Sequence, residues 1–165
     1  MTIAVIATLV SLFAVAWPGR APRTSPRVGS PTNSPAAVSL TGVSLTDADG
    51  KPVGIVEIAP AVVLIVDGCT CEELIRSTAD AVVTAKSRAR VVVVAMRSPT
   101  LPSELNEQVS VRSLADPNSS LRASVPALAG DRTTAAVLIN DRGRLVKAVR
   151  SVTSPEEFKG ELLSL

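Results

Sequence analysis

Three rhythms of apolar and polar residues divide the chain. Thr2 to Trp17 is uncharged and almost continuously apolar, Pro18 to Pro35 holds hardly any large apolar side chain, and from Val38 onward apolar residues recur in short runs separated by turn signals. Within this last part, VSLTGVSLTDADGKPVGIVEI (38–58) alternates on both sides of Asp47-Ala48-Asp49-Gly50, which predicts two short strands in a hairpin. Ala61 to Val66 is a run of six apolar residues, four of them β-branched, and suits a central strand covered on both faces. Leu74, Ile75, Ala79, Val82, Val83 and Ala85 then fall near a 3.6-residue period. Glu72 and Glu73 stand at the start of that period and Lys86, Arg88 and Arg90 at its end, the order a helix dipole favours, so a helix is predicted from Glu72 to about Ala89. RVVVVAMR (90–97) predicts a second central strand, and strand, helix, strand makes a right-handed parallel βαβ unit.

The pattern weakens but continues after this unit. Ser98 to Gln108, with Pro99 and Pro102, predicts a loop, and Val109 to Leu114 predicts a short edge strand. Asp116-Pro117-Asn118-Ser119-Ser120 caps a brief helix through Val125. Ala135 to Ile139 and Leu145 to Val149 flank Asn140-Asp141-Arg142-Gly143 as an antiparallel hairpin. Ser154-Pro155-Glu156-Glu157 has the form of a capping box with proline in the first helical position, and opens a C-terminal helix with Phe158, Leu162 and Leu163 on one face. There is no internal repeat. About 125 residues lie beyond the first two segments, enough for one core. The organisation predicted is a membrane anchor or signal segment at 1–17, a Pro/Arg/Ser-rich linker at 18–37 and one domain at 38–165.

The first segment has two membrane readings and one alternative. As an uncleaved anchor it is closed by Trp17, suited to the membrane interface, though at about 16 residues it is slightly short of the usual span. As a secretory signal it offers Ala14-Val15-Ala16 for cleavage but no basic residue ahead of the apolar stretch. A helix buried in the domain is the third reading, and the linker argues against it. Five of the twelve prolines lie in 18–35, a composition that makes an extended tether. Arg20, Arg23 and Arg27 would hold the domain on the cytoplasmic side by the positive-inside rule, whereas disulfide chemistry favours the outside; the outside is the reading preferred.

Charge and composition remove several function classes. No acid precedes Asp47, so the first 46 residues carry three arginines, and residues 47–165 balance 14 basic against 15 acidic side chains. A nearly neutral domain without aromatic platforms gives no nucleic-acid surface. The chain has no His and no Tyr, which removes Ser-His-Asp and Cys-His mechanisms and any His-ligated metal site.

The candidate chemistry is the cysteine pair. Cys69 and Cys71, the two cysteines of the chain, fall where the buried strand turns into the long helix. A helix N-terminus stabilises a thiolate, the nucleophilic form, and lowers its pKa from about 8.5 to as low as roughly 3.5 to 7.5. The bland alternative is two small residues packed at a turn. Asp67, just before the turn, is either a proton relay or, as the preferred reading, a solvated Asp-Gly turn residue.

The order of DADGKPV, the strand ending in CTC and a helix, LADPNSSL, and VLINDRGRLV resembles the membrane-anchored thioredoxin-like proteins, disulfide reductases of the TlpA type and the related redoxin group. The likeness covers about residues 40 to 165. It implies a thioredoxin-like three-layer α/β/α sandwich with a mixed central sheet, and a thiol-disulfide oxidoreductase with Cys69 attacking and Cys71 resolving, needing no cofactor or metal and acting on protein or small-molecule thiols and disulfides at a membrane. The chain departs from the family twice. One residue, Thr70, separates the cysteines where the family has two, and aligning VLINDRG places Thr134 where the family has a cis-proline facing them. Thr134 is therefore a candidate substrate-binding residue. The short spacing closes a smaller, more strained disulfide ring, which raises the reduction potential. Three other functions stay open: a thiol peroxidase using Arg132 as its positive group, Cu(I) binding by Cys69 and Cys71 with no third ligand found in Met96 or the remote Met1, and an interaction module without catalysis.

Overall fold

A computed structural model describes residues 38–165, which fall within one compact unit, Pro35–Leu165. The expectations for the apolar segment 1–17 and the linker 18–37 lie outside the described residues. Among the described residues no helix is long and apolar enough to cross a membrane.

The strands are β1 (Ser44–Thr46), β2 (Pro52–Gly54), β3 (Ala61–Ile65), β4 (Arg90–Ala95), β5 (Val111–Ala115), β6 (Ala135–Ile139) and β7 (Leu145–Arg150), joined as one sheet in the order β2-β1-β5-β4-β3-β6-β7. β3 runs parallel to β4 and antiparallel to β6, in register from Ala61↔Arg90 and Ala61↔Ile139 to Ile65↔Val94 and Ile65↔Ala135. With a neighbour on each edge and a cover on each face, all five β3 residues are buried, which is why the run is continuously apolar.

Alternation along β3 divides the interior into two cores. Ala61, Val63 and Ile65 point to one side, with Leu40, Leu45, Ile58 and Leu128. That side is covered by α1 (Ile55–Ile58), α3 (Ser120–Ser124) and a 3₁₀ turn at Pro126–Leu128. Val62, Leu64 and Val66 point to the other side, under α2 (Glu72–Thr84) and two C-terminal 3₁₀ segments, Pro155–Glu157 and Lys159–Ser164. The mixed sheet with a helical layer on each face has the layering expected, although the layer bearing α1 and α3 is built of short pieces.

Four elements depart from the sequence reading. The hairpin strand stops at Gly54: Ile55–Ile58 coils into α1, where Glu57 Oε1 accepts from Gly54 N–H at 2.9 Å and Ile55 and Ile58 are both buried. α2 ends at Thr84, before the predicted Ala89. Lys86 adopts φ 51° while Lys86 N–H bonds Val83 O and Ser87 N–H bonds Val82 O, a closure usually made by glycine, and it turns the chain into β4. β5 is no edge strand; it pairs with β4 on one side and with β1 through Thr46↔Ala115 on the other. Its half-exposed faces give it an edge-like alternation. The C-terminal helix is 3₁₀, not α. Phe158 and Leu162 reach the core but Leu163 is 78% exposed, because successive residues of a 3₁₀ turn diverge by about 120°.

Candidate active site

The end of β3 builds the turn. Val66 N–H is held by Val94 O at 2.8 Å, and the chain then leaves the sheet through Gly68 at φ 81°, a conformation that a side chain would resist. Cys69 N–H closes the turn on Val66 O at 3.3 Å, and Ile75 N–H bonds Cys71 O at 3.0 Å as the first bond of α2. Cys71 is the residue at the N-cap, with φ 41° and no hydrogen bond from its side chain to the helix start.

Cys69 and Cys71 are joined by a disulfide, with Cα atoms 5.3 Å apart. Cys69 is exposed, whereas Cys71 is half-buried and packs on the core beneath α2. The two sulfurs are therefore unequal in access. Cys69 opens into a cleft of about 430 Å³ whose wall includes Thr70, Glu72, Met96, Arg97 and Pro99. The cleft is part apolar and carries one charge of each sign beyond Asp67.

Thr134 lies against both sulfurs, its Oγ1 3.6 Å from Cys69 Sγ and 3.8 Å from Cys71 Sγ. The position identified from the VLINDRG alignment thus faces the cysteines across more than 60 residues of sequence, with a hydroxyl where a proline would present only carbon. The one cis peptide among the described residues is elsewhere, at Ala59–Pro60. Arg132 is exposed and lines a depression with Asn118, Ser119 and Asp131; it is not among the residues that line the cleft. The arginines set near the cysteine turn are instead Arg97, in the cleft wall, and Arg122, on α3.

Asp67 is not a solvated turn residue. Its Oδ1 accepts from Met96 N–H at 3.0 Å and its Oδ2 is 3.3 Å from Arg122 Nη2. Arg122 is 7% exposed, and the same Nη2 donates to Thr133 O at 2.9 Å. The loop before Thr134 is further held by Asp131, whose carboxylate accepts from Thr133 N–H at 2.8 Å; that bond and one from the Thr133 hydroxyl hold the carboxyl below its ordinary pKa of 3.8. Ser151 N–H also bonds Thr133 Oγ1, at 3.2 Å. Sequence reasoning missed Arg122, Arg97 and Pro99. No periodicity marks an arginine in a five-residue helix as buried, and loop residues brought to a cleft by tertiary packing leave no local signal. Among the described residues no group of three or more His, Cys, Asp or Glu side chains is placed to hold a metal ion.

No protein-family model and no curated protein matches the chain. Among solved structures, the chain is similar to Trgpx in its apo form, at 18% identity and a TM-score of 0.52 over 78% of this chain and 95% of that one. It is similar also to MTB DsbF in mixed oxidised and reduced forms, at 16% identity and a TM-score of 0.51 over 76% of this chain and 95% of that one. At such identities the likeness speaks for architecture alone, and with the sheet order and the cysteine turn at the head of α2 it identifies the fold of residues 38–165 as thioredoxin-like.

Proposed function

We propose that the chain is a thiol-disulfide oxidoreductase, tethered to a membrane by residues 1–17 through the linker 18–37, with its domain on the outer side. The observation that carries the reading is the disulfide itself: an exposed Cys69 bonded to a half-buried Cys71 at the head of α2, both sulfurs facing the Thr134 hydroxyl.

In the reducing direction, the Cys69 thiolate attacks one sulfur of a substrate disulfide, forming a mixed disulfide and releasing the other substrate sulfur as a thiolate. The Cys71 thiolate then attacks Cys69 Sγ, closing the Cys69–Cys71 bond and releasing the second substrate sulfur. One substrate disulfide becomes two thiols and the two protein thiols become one disulfide. The positive end of α2 favours the thiolate over the thiol, and the Thr134 hydroxyl donates to whichever sulfur is charged. The cleft, with Met96 and Pro99 beside Arg97 and Glu72, suits an extended peptide or a small thiol. Arg132 has no part in this scheme. Insulin reduction by the full chain with dithiothreitol tests it: turnover lost on Cys69→Ser supports the reading, and unaltered turnover rejects it.

One observation favours a second reading. Met96 is 58% exposed and lines the same cleft as Cys69, so a thioether and one of the two sulfurs open into one space. Two thiolates and a thioether are soft donors suited to Cu(I). Stoichiometric Cu(I) uptake by the reduced chain, weakened by Met96→Leu, supports this reading, and uptake indifferent to Cys71→Ser rejects it.

A further inference from the structure

We infer that Arg122 is a positioning residue for the cysteine pair, acting through the three loops that frame it. A single guanidinium nitrogen, Nη2, is shared by the Asp67 carboxylate at 3.3 Å and the Thr133 carbonyl at 2.9 Å. Asp67 opens the cysteine turn two residues before Cys69. Thr133 immediately precedes Thr134, whose hydroxyl faces both sulfurs. The other oxygen of Asp67 holds Met96 N–H at 3.0 Å, so the carboxylate also fixes the start of the segment that lines the cleft. Arg122 thus joins the turn carrying the nucleophile, the loop carrying its hydroxyl partner and the wall where substrate enters.

Its placement is costly for a surface role. Arg122 is 7% exposed, and its Nη1 is buried without a partner. A buried guanidinium with an unpaired nitrogen is destabilising unless its remaining contacts compensate, and those contacts are the two that reach the site. α3, which carries it, is itself held by Asp116, whose carboxylate accepts from Ser120 N–H, Ser120 Oγ and Leu121 N–H. The arginine is anchored from behind and spans to both loops in front.

The electrostatic consequence follows from the charges around Cys69. The charged groups carried by the elements around the turn are Asp67 itself, Glu72 and Glu73 at the head of α2, Arg97 after β4, Arg122 on α3, and Asp131 and Arg132 in the loop before Thr134; of these, Asp67, Glu72 and Arg97 line the cleft with Cys69. Without Arg122, Asp67 stands unneutralised two residues from the sulfur and the loop before Thr134 loses its tie to the cysteine turn, keeping its bonds to Asp131 and Ser151. Both changes disfavour the thiolate.

This inference rests on the reading of the pair as a redox site, but its test needs no turnover. In the full chain, reduced and kept in mild detergent, the pH dependence of iodoacetamide alkylation at Cys69 gives that thiol's ionisation constant. Arg122→Met is expected to lower the constant about tenfold. Arg122→Lys, which keeps the charge but not the planar fork, is expected to lower it about threefold. Phe158→Leu, a change in the core beneath α2 on the face of the sheet opposite α3, controls for general loosening and stays within twofold. Constants within twofold of the unaltered protein for both Arg122 variants, or an equal shift in Phe158→Leu, overturn the inference. If the Met variant does not fold, the Lys variant decides alone. Loss of insulin turnover on Cys69→Ser bears only on the oxidoreductase reading, so the two failures are distinguishable.

Discussion

Thr134 Oγ1 stands 3.6 Å from Cys69 Sγ, a contact made across 65 residues of sequence. It puts a donor at a place where proline offers none. A hydrogen bond to a charged group contributes about 1.5 to 3 kcal/mol, and one pKa unit corresponds to about 1.36 kcal/mol. Thr134→Val keeps the shape and removes the hydroxyl, so the Cys69 thiol pKa is expected to rise by about one unit in the reduced protein. Thiolate absorbance near 240 nm, followed against pH, measures it, and a Val variant that titrates with the unaltered protein contradicts the role.

The roles proposed within the pair follow from access. Cys69 is exposed and Cys71 packs on the core, so an incoming disulfide meets Cys69 first. Cys71→Ser is expected to accumulate a mixed disulfide with a thiol substrate, and Cys69→Ser to accumulate none. Mass spectrometry of the non-reduced protein separates the two. A stable adduct in Cys69→Ser would reverse the assignment.

These expectations show what was legible in the residues. β3 and β6 were, because a strand buried on both faces must be apolar at every position; so were the two hairpins, because Asp47 to Gly50 and Asn140 to Gly143 leave few other conformations. The cysteine turn was legible because strand, acidic-glycine turn and helix follow one another directly, and Thr134 because a strand of recognisable pattern fixed its register. Asp67 was visible but misjudged: its partner Arg122 is 55 residues away, and an Asp-Gly pair reads as a turn whatever its carboxylate touches. Arg122 had no signal at all, and neither had the 3₁₀ form of the C-terminus, which buries Phe158 and Leu162 as an α-helix would and shows itself in the exposure of Leu163.

Acid should loosen the loop beside the site. Thr133 N–H, with the Thr133 hydroxyl, holds the Asp131 carboxyl below its ordinary value of 3.8. A carboxyl depressed by folding contributes stability that is present above the unfolded value and lost as pH falls through the folded one. Asp131→Ala is therefore expected to be less stable than the unaltered protein at pH 6, with the gap closing below about pH 3.8. Urea midpoints at pH 6 and pH 3 check this; a gap of equal size at both contradicts it.

The proposed function requires Cys69 and Cys71 to form a working dithiol-disulfide couple. Its most direct test is the fraction of the pair oxidised in the full chain after equilibration across glutathione buffers. One intervening residue closes a tighter ring than two, so the couple should give a single two-electron transition with a midpoint above the roughly −270 mV of thioredoxin. A pair that never exchanges with glutathione, or a midpoint at or below that value, would contradict the account.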